Sequence, residues 1–458
     1  MFHVKVLTVL HATGAEMATR LPMMYSGGSL HHSPPMKRIT QYLVALLLLA
    51  APDVHAQVTA IQAGALLDVN TGRVERNVVL LVRDGRIEAV GSDVVVPPGA
   101  QVIDLSDQFV LPGLMDAHTH LLIQPDYPTN NPILNKSIPY RTIEGVQAAR
   151  ATLLAGFTSA RDMDSEGADW GDTAVRDAIN DGIIPGPRLQ VATRALSITG
   201  GYMNQNGLAP QIDVPQFGVL ADSDDAIVKE IRTEVKYGTD WIKLYATGTT
   251  RHINLEDMTP LPQFDREQIA LVMNEAARFR IPVAAHAYGG RGAYDAVDLG
   301  ARSIEHGMLL DDRTLDLMVE RGTFWVPTIS VYMGEGPRTE WSERTAAIVN
   351  AHKATFAKAV EKGVRIAYGT DVGAIPHGDN ARDFAVMVDY GMTPLNAIRS
   401  ATVVTAALMD IDHETGALQP GMAADIIAVH GNPLEDITRL GAVTFVMKGG
   451  QIYKREHN

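Results

Sequence analysis

An alternation of short apolar segments with amphipathic segments runs through the middle of the chain and constrains its fold more than any other feature. One amphipathic segment, 223–237, begins at Ser223, a residue type that favours the N-cap of a helix. Eight strand–helix units in one region of about 300 residues predict a closed (β/α)8 TIM-like barrel of the α/β class rather than an open sheet. The strands are predicted at 113–118, 157–162, 188–193, 241–246, 282–286, 302–306, 323–327 and 365–370.

Strand-like segments also flank this region on both sides. Residues 57–112 contain VTAIQAGALLDV, VVLLVRDGRIEAVG and AQVIDL, and residues 416–458 contain ADIIAVHGNP and VTFVMKGGQIYK. Short apolar runs separated by Asn, Asp and Gly turn residues are typical of β-strands. We therefore predict a small β-sandwich domain, formed by both ends of the mature chain, beside a barrel at 113–415.

The N-terminal segment has the pattern of an export signal. A basic start at 36–38 precedes YLVALLLLAA (42–51), an apolar run too short to span a bilayer, and a VHA sequence follows. This pattern predicts a signal peptide at 36–56, cleavage before Gln57 and a periplasmic or secreted protein, with a membrane anchor as the alternative. Residues 1–35 show no periodic pattern, and we interpret them as a non-native or disordered extension.

Composition limits the chemistry that the chain can perform. The sequence contains no cysteine, which excludes disulfides, thiolate nucleophiles and iron–sulfur clusters. Any metal must therefore be held by nitrogen and oxygen ligands, which suits zinc or manganese. The net charge of −14 argues against a nucleic-acid partner, because phosphate binding requires a basic surface.

The segment LPGLMDAHTHLL (111–122) carries two histidines at the end of the first barrel strand. Residues two apart in a strand point to the same face, so the imidazoles of His118 and His120 would converge, with Asp116 behind them. Converging neutral imidazoles are what a divalent metal binds. Two half-buried histidines bonded to backbone groups are the alternative.

Four further barrel strands end in, or contain, groups able to bind a metal. AAHAYG provides His286, SIEHG provides His306, and GTDVG provides Asp371. In WIKLYATG, Lys243 would face the lumen, where an ammonium group is costly unless it is paired, so a structural ion pair is the alternative there. The carboxyl ends of barrel strands meet at one rim. Four histidines, one lysine and one aspartate at that rim indicate a binuclear metal site.

The motifs PGLMDAHTH, WIKLYATG, AAHAYG, SIEHG and GTDVG resemble those of the amidohydrolase superfamily of binuclear metallohydrolases. The resemblance spans residues 58–456 and is strongest to the branch of Xaa-Pro dipeptidase-like, imidazolonepropionase-like and ochratoxinase-type enzymes. It implies two divalent metal ions, with zinc expected. The implied ligands are His118, His120 and Asp371 for one ion, His286 and His306 for the other, and Lys243, carboxylated by CO2, as the bridge.

The resemblance also implies an activity. It implies that a metal-bridging hydroxide cleaves an amide or peptide bond of a small substrate, such as a dipeptide, an N-acyl amino acid or an aryl amide such as ochratoxin. Asp371 would act as general base and return the proton to the amine. A cyclic amide or imidazolone hydrolase, a deaminase of the same superfamily and a non-catalytic periplasmic binding protein are the alternatives. We expect a homo-oligomer, with no membrane contact after signal cleavage.

Four side chains are candidates for contact with the substrate. Tyr245 shares a strand face with Lys243, although a core aromatic residue is the alternative. His252 and His377 lie on loops after the fourth and eighth strands, where substrate contacts are common. Tyr202, in SITGGYMNQNG, stands where many members of the branch have a histidine. This departure favours a bulky or aromatic substrate over a strictly proline-directed dipeptidase.

A chain that starts at Gln57 is expected to fold and to retain the activity of the longer chain, because every predicted strand and helix follows that residue. Circular dichroism and activity assays on the two purified chains test this. A shorter chain that fails to fold while the full-length chain is soluble would contradict the signal prediction.

Overall fold

The structure is a computed structural model that describes residues 58–127, 130–204, 208–333 and 343–456. The predicted extension (1–35) and signal peptide (36–56) lie outside the described residues. Within the described ranges, no helix is long and apolar enough to cross a bilayer.

Strands and helices alternate through most of the described chain. The strands are β1 (Thr59–Asp68), β2 (Arg73–Arg83), β3 (Arg86–Gly91), β4 (Gln101–Pro112), β5 (Leu114–Thr119), β6 (Phe157–Asp162), β7 (Arg188–Val191), β8 (Leu196–Ser197), β9 (Val219–Leu220), β10 (Ile242–Tyr245), β11 (Val283–Gly289), β12 (Ser303–Leu309), β13 (Phe324–Val326), β14 (Arg365–Ile366), β15 (Ile426–Val429), β16 (Val443–Lys448) and β17 (Gln451–Arg455). The α-helices are Pro132–Asn135, Ile138–Leu154, Gly171–Asn180, Asp224–Lys236, Arg266–Arg278, Gly290–Asp298, Asp312–Arg321, Glu343–Lys362, Arg382–Asp389, Pro394–Arg399 and Thr405–Leu408.

Both ends of the described chain contribute to one seven-stranded sheet with the order β17-β16-β15-β4-β1-β2-β3. β1 is antiparallel to β2 and parallel to β4, and β15 pairs antiparallel with β4, which places Ala428 opposite Val110. A single apolar cluster collects buried side chains from both ends, including Ile61, Val110 and Phe445. The two ends therefore share one sheet and one core, and the second layer of a sandwich stays a prediction.

All eight strands predicted for the barrel occur, as β5, β6, β7 and β10 to β14. They are parallel and lie in two sheets, β5-β6-β7 and β14-β13-β12-β11-β10-β8-β9. The strands β8 and β9 were not predicted, because two residues are too short to carry a periodic pattern.

Backbone hydrogen bonds connect the two parallel sheets at both edge strands of the three-stranded sheet, β5 and β7. The amides of Asp240 and Trp241 donate to the carbonyl oxygen of Val191 at 2.9 and 3.2 Å, which joins the start of β10 to the end of β7. The amide of Ala117, in β5, donates to the carbonyl oxygen of Tyr368 at 2.8 Å, just after β14. No continuous ladder runs around the whole ring in the described chain, so the closed barrel stays a prediction.

The alternation of side chains in β10 determines what enters the interior. Ile242 and Leu244 pack outward against helix residues such as Ile227, in the largest apolar cluster. Trp241 packs inward with Ala117 and other small strand residues. Because residues two apart share a face, Lys243 points inward as well, as the sequence predicts.

The helix Asp224–Lys236 that covers this strand begins where the sequence predicts. The hydroxyl oxygen of Ser223 accepts a hydrogen bond from the Ala226 amide at 3.3 Å, which satisfies one of the free donors of the first turn. Ile227 and Ile231 then face the sheet from the buried side of the helix. This packing fixes the position of β10, and thus the position of Lys243.

Candidate metal centre

One cavity at the carboxyl ends of the parallel strands brings together all six side chains that were predicted to bind metal. Five of them are at most 5% exposed, and the side chain of Asp371 is 14% exposed. The six residues are His118, His120, Lys243, His286, His306 and Asp371.

Three of these side chains meet closely enough to share one ion. The Nε2 atoms of His118 and His120 lie 3.3 Å apart. The Oδ1 atom of Asp371 lies 3.1 Å from Nε2 of His120 and 3.8 Å from Nε2 of His118. This trio of nitrogen and oxygen ligands is a set that a divalent metal ion binds.

The opposite nitrogens of the two imidazoles have their own partners. Nδ1 of His118 lies 2.7 Å from Oε2 of Glu305, and Nδ1 of His120 lies 3.2 Å from the carbonyl oxygen of Asp164. When each Nδ1–H donates to its oxygen, both Nε2 lone pairs point at each other and at Asp371. Three electron-rich atoms in contact need a cation between them, so these residues fit a metal ion.

The surroundings of His120 also favour a positive charge. Burial acts to lower the pKa of His120, but its hydrogen bond with Asp371 and the charge of Glu166 raise the pKa to about 10. The site therefore favours positive charge, and a metal ion would compete with a proton for His120.

The two remaining histidines offer a second set of nitrogens. Both ring nitrogens of His286 are buried without a hydrogen-bond partner among the described residues. Nδ1 of His306 bonds Oγ1 of Thr328 at 2.7 Å, which leaves its Nε2 available. The two rings lie 4.6 Å apart between centroids. Buried polar atoms are rarely left without a partner, so a second ion fits here.

Lys243 lies in the same cavity as both sets of histidines. No carboxylate of the described residues forms an ion pair with its ammonium, which lies 5.6 Å from the centre of the Tyr245 ring. Burial lowers the pKa of Lys243, although the charges of Glu305 and Asp371 act to raise it. The structural ion pair considered for this lysine is therefore absent from the described part of the chain.

Unusual backbone conformations direct two of the ligands. His306 has a φ of 71° and Asp371 a φ of 65°, in the left-handed region that L-residues other than Asn and Asp rarely adopt. Neighbouring side chains of a regular strand point to opposite faces. Because Glu305 points inward to His118, a regular strand would point His306 outward. The left-handed turn instead brings the imidazole to the rim, at a backbone cost of about 1–3 kcal/mol.

A glycine allows the segment after β14 to approach the His-x-His strand. A Cβ atom at Gly369 would lie 2.3 Å from Cγ1 of Val326 and 3.0 Å from Cβ of His118. The close approach lets the amide of Asp371 donate to the carbonyl oxygen of His118 at 2.8 Å. This bond holds Asp371 beside the two histidines.

Comparison with known proteins identifies the family. The amidohydrolase family model matches residues 109–453. An ochratoxinase of Aspergillus niger is 32% identical over 441 residues, which span 89% of this chain and 89% of that protein. An imidazolonepropionase of Symbiobacterium thermophilum is 25% identical over 377 residues, 76% of this chain and 82% of that protein. A solved Xaa-Pro dipeptidase with bound methionine in its active site superposes with a TM-score of 0.79 and 35% identity, over 87% of this chain and 100% of that chain.

The chain belongs to the amidohydrolase family. The resemblance inferred from the motifs is thereby confirmed, and the protein is a hydrolase that acts on C–N bonds. Its mixed α/β fold is the fold of this family's solved members.

A buried ion pair between Arg161 and Glu305 lies next to the candidate ligand His118. Neither residue of this pair was predicted from the sequence to belong to the site. Nη2 of Arg161 lies 2.7 Å from Oε1 of Glu305, and both side chains are fully buried. Burial acts to raise the pKa of Glu305, but the charge of Arg161 and the hydrogen bond with His118 hold it at about 2. A charged residue inside an apolar strand, the signal that identified Lys243, was also present in FTSARD and SIEHG.

Two of the four candidate substrate contacts line the cavity. The hydroxyl of Tyr245 donates to Oδ2 of Asp164 at 2.9 Å. The ring of Tyr202 stacks on His286 with centroids 4.7 Å apart and an interplanar angle of 23°. Both aromatic side chains therefore lie in the same cavity as the six candidate ligands, and their contact with a substrate stays a prediction.

The other two candidates are not among the residues that line the cavity. His252 is exposed, and its Nδ1 accepts a hydrogen bond from the Thr249 amide at 3.3 Å. Nε2 of His377 donates to the carbonyl oxygen of Ile123 at 2.9 Å. A loop position does not determine the direction of a side chain as strand alternation does, and substrate contact by these histidines stays a prediction.

Replacing Glu305 by Gln is expected to weaken zinc binding by about 10- to 100-fold, because the variant loses the carboxylate that orients His118. It should also destabilise the metal-free protein by about 3–5 kcal/mol, because Arg161 keeps a buried charge without its partner. Chelator competition and urea unfolding measure the two effects.

The exposed pair of Arg83 and Glu88 provides the control, since Glu88→Gln should change stability by only about 0–1 kcal/mol. The pKa of folded Glu305 lies below the ordinary value of 4.5. Its stabilising contribution is thus complete above pH 4.5 and lost as the pH falls towards about 2, a slope that Glu305→Gln should reduce. Unchanged zinc affinity and unchanged stability would contradict this role.

Proposed function

We propose that this amidohydrolase is a binuclear-metal hydrolase that cleaves an amide or peptide bond of a small substrate. The observation that carries the proposal is the convergence of four imidazoles, one lysine and one aspartate in a single buried cavity. Dipeptides, N-acyl amino acids and aryl amides are the candidate substrates. The similarity to an ochratoxinase and to a Xaa-Pro dipeptidase supports this range.

Each ion would have its own ligands. His118, His120 and Asp371 would hold one, and His286 and His306 would hold the other. Lys243 would bridge them as a carbamate formed with CO2, and its lowered pKa supports this, because the uncharged amine is the form that reacts. A carbamate would also turn a buried cation into an anion between two dications. When bound, two divalent ions, with zinc proposed, would polarise the scissile carbonyl and activate a water.

Asp371 would move the proton during the reaction. Burial acts to raise its pKa, but the hydrogen bond with His120 and the charge of His118 hold the pKa of Asp371 well below its ordinary value. The carboxylate is therefore ionised and able to take a proton from the attacking water. It would then return this proton to the departing amine as general acid.

The aromatic side chains would position the substrate. Tyr245 points its hydroxyl into the cavity wall at Asp164, and Tyr202 presents its ring above His286. A substrate that packs against these two rings would lose contact with water on its apolar side, which strengthens polar interactions at the reacting carbonyl. A ring at the position of Tyr202 supports a bulky or aromatic substituent.

Barrel closure, export and oligomeric state are the remaining features that we propose for the protein. We propose that the eight parallel strands form a closed (β/α)8 barrel, which the backbone hydrogen bonds at Val191 and Tyr368 support. The export pattern at 36–56 supports a periplasmic or secreted enzyme. Catalysis by a homo-oligomer is also part of this proposal.

The alternatives differ in metal content. A mononuclear deaminase would not need Lys243 among the histidines, so the lysine favours the binuclear hydrolase. An imidazolone or cyclic amide hydrolase would share most of the site, and the similarity to an imidazolonepropionase keeps it as a second candidate. A non-catalytic binding protein would not need the general base at Asp371.

Lys243→Ala is expected to lose one or both metal ions, because the bridge between them disappears. Short carboxylic acids should partly restore activity by occupying the bridging position, whereas Lys243→Arg should stay inactive, since a fixed positive charge would face the ions. Metal analysis and turnover measure this. Lys229→Ala, which changes an exposed lysine on a surface helix, is the control. Full metal content and normal turnover in Lys243→Ala would contradict the bridging role.

Asp371→Asn is expected to keep much of its metal while turnover falls by about 100-fold or more, because an amide oxygen coordinates but does not accept a proton at neutral pH. Metal content and turnover are measured on the same sample. Asp379→Asn, an exposed change on the same loop, should leave both unchanged. A metal-replete Asp371→Asn protein with near-normal turnover would remove Asp371 from the proton transfer.

A further inference from the structure

Glu166 places a carboxyl group without its full set of hydrogen bonds in the wall of the proposed active site. Its side chain is 4% exposed and lines the same cavity as the metal ligands. Its Oε2 atom is buried and has no hydrogen-bond partner among the described residues. A buried carboxylate oxygen without a partner is costly, and it is retained where a ligand supplies the missing donor.

The backbone of Glu166 is fixed, so the side chain does not reach this position by chance. The residue has a φ of 53°, in the left-handed region. Its amide donates to Oδ1 of Asp164 at 2.9 Å, and its carbonyl oxygen accepts from Nη2 of Arg141 at 2.7 Å. The nearest buried guanidinium is thus bonded to the carbonyl of Glu166 rather than to its carboxylate.

The surroundings of the carboxylate favour a cation. The negative charges of Asp164 and Asp371 act on this group, and the charges of His120 and Arg141 oppose them. Oε1 lies 3.3 Å from Nδ1 of His120, and Oε2 is enclosed without a hydrogen-bond partner among the described residues. A positively charged donor that enters this side of the cavity would gain a charge-assisted hydrogen bond.

Glu166 lines the same cavity as the proposed reacting centre, where Nε2 of His120 faces Asp371. Its Oε1 lies 3.3 Å from the opposite nitrogen of the same ring, Nδ1 of His120. A substrate bound at the reacting centre would therefore share this cavity with the carboxylate, and a group on the carbon next to the scissile carbonyl is the one that could turn towards it. In dipeptides and aminoacyl amides that group is an α-ammonium, whereas in N-acyl amino acids and aryl amides it is uncharged.

We propose that the carboxylate of Glu166 binds the free α-ammonium of the acyl half of the substrate and makes the enzyme selective for aminoacyl amides and dipeptides. This inference rests on the proposed amide hydrolysis and narrows its substrate class. Glu166 would determine specificity: it would contact the substrate, whereas Asp371 and the metal centre would cleave the amide bond.

Two pairs of probes that differ only in the amino group test the proposal on the zinc-loaded protein. For turnover, the pair is L-phenylalanyl-L-phenylalanine and 3-phenylpropanoyl-L-phenylalanine. For binding by calorimetry, it is L-phenylalanine and 3-phenylpropanoate. In the wild-type protein, the ammonium-bearing member should be favoured by about 10- to 100-fold in kcat/KM and in Kd, the range expected for a hydrogen bond between charged groups.

In Glu166→Gln this preference should disappear, while the zinc content stays at the wild-type level. Glu256→Gln, which changes an exposed glutamate outside the cavity, should keep the preference. A wild-type protein that treats both members of each pair alike overturns the inference, whether or not the variant folds. A Glu166→Gln protein that loses zinc and weakens both members equally also overturns it, because Glu166 would then act only through His120.

The binding measurement separates this inference from the proposed function. If calorimetry shows the ammonium preference and its loss in Glu166→Gln, but neither phenylalanine amide is cleaved at full zinc content, the ammonium site stands and the hydrolysis of such amides fails. If the amides are cleaved without an ammonium preference, the hydrolysis stands and the inference about Glu166 fails.

Discussion

A continuous buried chain of polar contacts, from Arg161 through Glu305 to His118, is the interaction on which the centre of the molecule depends. Arg161 comes from β6, Glu305 from β12 and His118 from β5, so the contacts tie three parallel strands together inside the protein. Burial of the charges of Arg161 and Glu305 costs free energy, and this cost is offset only when their hydrogen bonds are complete. What it provides is an imidazole with one nitrogen fixed and the other directed into the cavity.

The cavity then collects groups that do not stabilise one another. Lone pairs of His118 and His120 face the carboxylate of Asp371, and both nitrogens of His286 lack partners in the described chain. Such an arrangement costs stability unless a cation completes it. The strained backbone at Asp371 adds to that cost. The fold therefore supports a site whose stability depends on what it binds.

Much of this could be predicted from the sequence, because strand alternation determines which residues share a face. It placed Lys243 inside and Ile242 and Leu244 outside, and it brought the six ligand candidates to one rim. It did not reveal β8 and β9, which are too short for a pattern. It also did not determine the direction of His252, which lies on a loop and caps its own turn. The partners of buried charges were missed because they join strands far apart in the sequence.

We propose that the cavity holds two ions joined by a carboxylated lysine. The most direct measurement is the zinc stoichiometry of the wild-type protein after reconstitution from the metal-free state, with bicarbonate present and in CO2-free buffer. We expect two zinc ions per chain with bicarbonate, and fewer ions and less activity without CO2. A protein that binds at most one ion under both conditions, with the same activity in each, would contradict it.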